Sequence, residues 1–229
     1  MHGPVLAPDL GRLYASATGR NEVDVVDTST LKVGPAVAAG NYPDGLAYVP
    51  GAGKVYVSNE QDSAETVIDA RAARRLGSIQ IGGDIGNSQY DSGTGRVYVA
   101  SGTGNQLVVV DPSRDAVLER DPLAGCEGAH GVQVDVPERA RVFVACEGNA
   151  KVVVLDLTSR KVTGTLDVGD GRTCWRSTHS PPAVRRRGER DSDGHRRRVA
   201  CRQAEHGGTP DRTPTASPWT PPRTWSTCP

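Results

Sequence analysis

Val55-Tyr56-Val57-Ser58, the apolar phrase after Lys54, decides the fold because it does not stand alone. Leu13-Tyr14-Ala15-Ser16, Val97-Tyr98-Val99-Ala100 and Val142-Phe143-Val144-Ala145 repeat it, each just after an arginine (Arg12, Arg96, Arg141). The aromatic residues are spaced 42, 42 and 45 positions apart. A second phrase keeps the same interval: Val25-Val26-Asp27, Ile68-Asp69, Val110-Asp111 and Leu155-Asp156. A period in this range marks one supersecondary unit copied along the chain.

Within the second repeat, Gly45-Leu46-Ala47-Tyr48-Val49 reads as a strand closed by the turn pair Pro50-Gly51. Lys54–Ser58, Glu65–Asp69 and Arg75–Ile81 follow as three more. The third repeat gives strands at Arg96–Ala100, Gln106–Val110 and Ala116–Arg120. The fourth gives Gly131–Val136, Arg141–Ala145, Lys151–Asp156 and Lys161–Val168. Four short strands per 42-residue unit leave no room for a helix. A lone four-stranded meander exposes both faces and needs a neighbour on each. Radial stacking answers that need, and it makes a β-propeller. An open sandwich is the competing solution, but a strict recurrence favours blades. The expected fold is therefore all-β: an incomplete β-propeller of four-stranded antiparallel blades over residues 1–171, with a largely disordered tail over 172–229. The first blade is expected to be truncated, which leaves about three and a half intact units.

The phrases Val55-Tyr56-Val57-Ser58-Asn59, Val97-Tyr98-Val99-Ala100 and Leu107-Val108-Val109-Val110-Asp111-Pro112-Ser113 resemble the YVTN class of β-propeller repeats over about residues 2–171. That resemblance implies a binding or interaction module, often an exported one, and so an extracytoplasmic setting. It also implies a complete ring of roughly seven blades. A lactonase-like propeller hydrolase, holding a divalent cation on acids and Asn at its channel mouth, is the alternative; otherwise no cofactor is implied.

The chain of 229 residues has zero net charge, but this sums two unlike parts. Residues 172–229 lack Leu, Ile, Phe, Tyr, Met, Lys and Asn, yet hold all three Trp and three of the five Cys. Twelve Arg against five acids make that tail +7 and the repeat region −7, so no partner follows from overall neutrality. No run approaches the roughly 18–20 apolar residues of a membrane span, and Met1-His2-Gly3-Pro4 does not open a signal peptide. His2-Gly3 precedes Tyr14 much as His130-Gly131 precedes Phe143, so the chain is expected to begin inside a repeat.

The tail also reads as the same repeat in another frame. Joining each codon's third base to the next two bases forces Leu at Cys174/Trp175, within a permitted phrase Pro-Asp-Val-Leu-Ala-Phe-Asp-Pro. In-frame, Pro43-Asp44-Gly45-Leu46-Ala47-Tyr48-Val49-Pro50 is its parallel. The expectation is a truncated or frame-disrupted fragment of a longer protein. The competing reading is a genuine disordered Pro/Arg-rich tail.

Asp27, Asp69, Asp111 and Asp156 each end a strand before small or turn-forming residues, where Asp caps a turn by accepting backbone bonds two residues on. Cys126 and His130 enter a first strand and Cys146 follows the second strand of the same unit. In propellers of the resembled type both connections lie around the mouth of the axial channel. A Cys126–Cys146 disulfide, a Cys126–His130–Cys146 metal site completed by Glu127 or Glu147, and unlinked thiols are all open. The same face would present Asp44, Asn59, Asn87, His130 and Glu147 to a small polar ligand, a peptide or a cation. Glu60 and Asn149 accompany them there. The alternative is a solvated rim.

No Ser-His-Asp spacing, phosphate loop or His-Glu-x-x-His pair appears, so nothing specifies a reaction. Gly102-Thr103-Gly104 reads as a hairpin connection. Arg185-Arg186-Arg187 and Arg196-Arg197-Arg198 lack interleaved aromatics, which argues against a nucleic-acid partner. Cys174, Cys201 and Cys228 fit no zinc spacing.

Overall fold

The computed structural model describes residues 3–135 and 140–169. The expectations for residues 172–229 lie outside these. Sixteen strands fall into four antiparallel meanders among the described residues. The first blade holds β1 (Pro4–Ala7), β2 (Arg12–Ala17), β3 (Glu22–Asp27) and β4 (Val37–Ala38); the second holds β5 (Pro43–Val49), β6 (Lys54–Asn59), β7 (Ala64–Asp69) and β8 (Arg74–Gln80). The third holds β9 (Ile85–Asp91), β10 (Arg96–Ser101), β11 (Gln106–Asp111) and β12 (Ala116–Pro122). The fourth holds β13 (Ala129–Asp135), β14 (Arg141–Cys146), β15 (Lys151–Asp156) and β16 (Lys161–Asp167).

The first unit thus has all four strands, where the sequence suggests a partial one. Its fourth strand is only two residues long, plus a bridge from Val26 to Val33. Pro35, which donates no ladder bond, interrupts it. The third unit gains β9, a strand the apolar pattern does not announce.

The recurring phrase works through the two-residue period of a strand. Val55 and Val57 pack toward the first blade with Tyr14, Val23 and Tyr48, while Tyr56 turns the other way and packs with Val97 and Val108 of the third. Tyr98 in turn packs with Val142 and Val153 of the fourth blade. Each blade boundary is a separate apolar layer, and each fully buried Val contributes about 1.5–3 kcal/mol. First strands of successive blades pack against one another, β1 on β5, β5 on β9 and β9 on β13, as stacking around an axis requires.

The basic residue before the first two phrases also has a use. Arg12 Nη1 donates to the carbonyls of Ala70 and Arg71 in the next blade, both at 2.8 Å, and Tyr14 Oη joins it on Ala70. Lys54 Nζ donates to Pro112 O (3.0 Å) and Asp115 Oδ2 (2.7 Å), with Tyr56 Oη on the same carboxylate. Between the third and fourth blades the polarity is reversed: Arg160 reaches back to Asp121 at 2.7 Å and Glu119 at 2.8 Å. Asp115 and Arg160 occupy one turn position, four residues after the recurring Asp, with φ of 50° and 58°. Those Asp residues cap the turn itself: Asp27 Oδ1 accepts from Ser29 N and Thr30 N, and Asp69 Oδ1 from Arg71 N and Ala72 N. Asp111 and Asp156 do the same for Ser113 and Ser159. No helix among the described residues is long and apolar enough to cross a membrane.

Candidate functional site

A β-bulge recurs near the start of the first strand in blades two, three and four, where pairing shifts between Pro43 and Leu46, between Ile85 and Ser88, and between Ala129 and Gly131. Such bulges re-aim a side chain at the end of a sheet. Asp44, Gly86 and His130 occupy equivalent bulge positions by this register. The residue just past the second strand is equally regular: Glu60, Gly102 and Glu147.

Blades two and four therefore carry a polar or acidic side chain at both rim positions, and the blade between them carries glycine at both. A cleft of about 520 Å³ lies over the withdrawn third blade. Gly86 and Gly102 line it together with Glu60, Asp84, His130 and Glu147. A Cβ on Gly86 would fall 2.5 Å from the Cα of His130, so only glycine lets the fourth blade's first strand approach this closely.

Across this gap His130 Nε2 lies 3.0 Å from Glu60 Oε1 and 3.6 Å from Asp44 Oδ2, while its Nδ1 lies 3.5 Å from Glu147 Oε1. Asp44, Glu60 and His130 can each offer a ligand atom within 4.8 Å of the others. Asp44 is buried at 6% exposure. Burial raises the Glu60 carboxyl above its ordinary value, a hydrogen bond shared with Asp44 adds to the rise, and His130 opposes it. The site is an imidazole held among carboxylates, and among the described residues no Lys or Arg lines the cleft.

Of the residues singled out in the sequence, the structure brings together Asp44, His130 and Glu147. Asn59 is buried and structural: its Oδ1 accepts from Gly40 N, and its Nδ2 donates to Ala64 O and Thr66 Oγ1, all at 2.9 Å. Asn87 sits against Gly45 and does not line the cleft. Cys126 and Cys146 are joined in a disulfide. Neither sulfur is then a free thiolate, so the Cys126–His130–Cys146 metal set is corrected, and the groups facing His130 are carboxylates. Glu60, which the sequence places on the same face, shares the repeat position of Glu147 and lines the cleft; Asp84 lines it too and is not among the residues the sequence singles out.

No family model matches the chain, and no curated relative matches it. Among solved structures, Kuenenia stuttgartiensis hydrazine synthase superposes with a TM-score of 0.65 at 22% identity, covering 71% of this chain and 47% of that one. A structure of the mitotic checkpoint complex gives 0.61 at 12% identity, covering 72% and 50%. At these identities the likeness shows the fold, and that fold is of the β-propeller type. The chain spans about half the length of these matched chains.

Proposed function

We propose that this protein is a binding module of the β-propeller type whose ligand site is the cleft over the third blade, and that the ligand presents positive charge there. The observation that carries the reading is the charge of the walls. Glu60, Asp84 and Glu147 line the cleft and Asp44 stands beside Nε2 of His130, with no basic side chain but that imidazole among the described residues. A concave site of one sign focuses its field on an oppositely charged guest. A lactonase-like hydrolase draws on several carboxylate or amide ligands at the channel mouth; of its candidates Asp44 and Glu147 stand at His130, while Asn59 and Asn87 do not line the cleft.

Saturation-transfer NMR with matched small molecules (agmatine and putrescine, glutarate, and a neutral polyol) tests this. The amines are expected to bind, and the Glu60→Gln/Glu147→Gln pair should weaken them about tenfold or more, since two charge-assisted contacts are lost. Equal signals from glutarate, or none from the amines, would overturn the reading.

The repeat phrases support kinship with YVTN-type propellers and an extracytoplasmic setting. The greater length of the matched structures supports these four blades being an arc of a larger ring. Reading 172–179 of the gene in the shifted frame tests the proposal of a frame-disrupted blade; a DNA sequence that lacks the Leu-containing phrase would end it.

A further inference from the structure

We propose that Asp44, Glu60 and His130 form the ligand set of a divalent first-row transition-metal ion of the zinc type, with Glu147 orienting the imidazole from behind. The inference rests on the cation-binding reading of the cleft and names the cation.

Three observations converge on it. The first is spacing. Donors bound to one metal at about 2.0–2.2 Å stand about 3.0–3.6 Å apart at tetrahedral or octahedral angles. The Nε2 atom of His130 lies 3.0 Å and 3.6 Å from its two carboxylate neighbours. The second is the far side of the ring. Nδ1 of His130 is buried without a hydrogen bond from the described residues, and Glu147 Oε1 stands 3.5 Å from it. A metal on Nε2 fixes the proton on Nδ1, and a carboxylate behind that nitrogen is the usual orienting partner of a ligating histidine. The third is Gly86, whose lack of a Cβ lets the backbone of His130 come close enough for its imidazole to reach the acids of the second blade.

One nitrogen and two carboxylate oxygens favour a borderline metal over the all-oxygen preference of calcium or magnesium. The three ligands come from two blades, so the ion would bridge over the third. Remaining coordination positions would face the cleft of about 520 Å³ and take water or an incoming ligand atom.

The test is calorimetric titration of the full chain with Zn²⁺, its thiols first alkylated because Cys174, Cys201 and Cys228 offer sulfur elsewhere. Co²⁺ absorption is recorded in parallel. One Zn²⁺ per chain is expected, with Ca²⁺ and Mg²⁺ much weaker, and Co²⁺ should show a nitrogen/oxygen spectrum without sulfur charge transfer. His130→Ala and Glu60→Gln should each weaken Zn²⁺ by more than tenfold, and Glu147→Gln by about tenfold, as removal of an orienting partner does. Glu60 is partly exposed, so its variant carries the test even if His130→Ala fails to fold. Zn²⁺ bound equally by wild type and Glu60→Gln, or not bound at all, overturns the metal site. If the amines still bind in that case, the cation-binding reading stands without the metal; if they also fail, both fall.

Discussion

Glu65 is fully buried, with Ser58 Oγ donating to its Oε1 at 2.7 Å and no hydrogen bond to Oε2 from the described residues. Burial pushes its carboxyl up to about 8 from an ordinary 4.5, so it is held neutral at physiological pH. The recurring turn aspartates are shifted the other way. The Ser29 hydroxyl, with backbone N–H groups, holds Asp27 at about 2, and similar bonds lower Asp69, Asp111 and Asp156. The signs oppose. A raised carboxyl favours the fold fully below 4.5, and that contribution is lost as pH rises toward 8. The lowered ones contribute above 3.8 and are lost as pH falls toward their folded values. Denaturant stability of the wild type should therefore decline from pH 4.5 to 8. Glu65→Gln should flatten that decline, and an unchanged slope in the variant would show that Glu65 is not the titrating group.

At the level of strands and turns, each blade is fastened to the next through the third-to-fourth strand turn. Asp115 holds both Lys54 Nζ and Tyr56 Oη across one boundary. Asp115→Ala leaves two partly buried donors without that partner and should cost about 1–3 kcal/mol in denaturant unfolding. Combined with Tyr56→Phe the losses should be clearly less than additive; strict additivity would mean the contact contributes nothing. The strands that carry these fasteners were legible because Val and Tyr alternate with the pleat. β9 was not, because Gly86-Asn87-Ser88-Gln89 is polar, and its burial comes from neighbouring first strands instead of an apolar stripe. The rim was legible in part. Asp44, His130 and Glu147, read off strand ends, lie together around the imidazole. Asn59 misled because a carboxamide at a strand end looks available, whereas here it ties Gly40, Ala64 and Thr66 together. The cleft itself stayed hidden, since the equivalence of Gly86 with Asp44 and His130 depends on bulge register, which alternation does not reveal.

Across the molecule, three apolar layers hold four sheets, and the cleft is a by-product of one sheet lacking rim side chains. Everything proposed for the site depends on the first strand of that sheet being stacked between its neighbours. Hydrogen–deuterium exchange of residues 85–91, followed by mass spectrometry, examines this most directly. Their amides should exchange as slowly as those of 96–101 and 106–111, because β9 is paired with β10 and covered by β5 and β13. Exchange as fast as that of the 28–36 connection would mean that 85–91 is a loop, that the blades do not stack around an axis, and that the cleft has no floor.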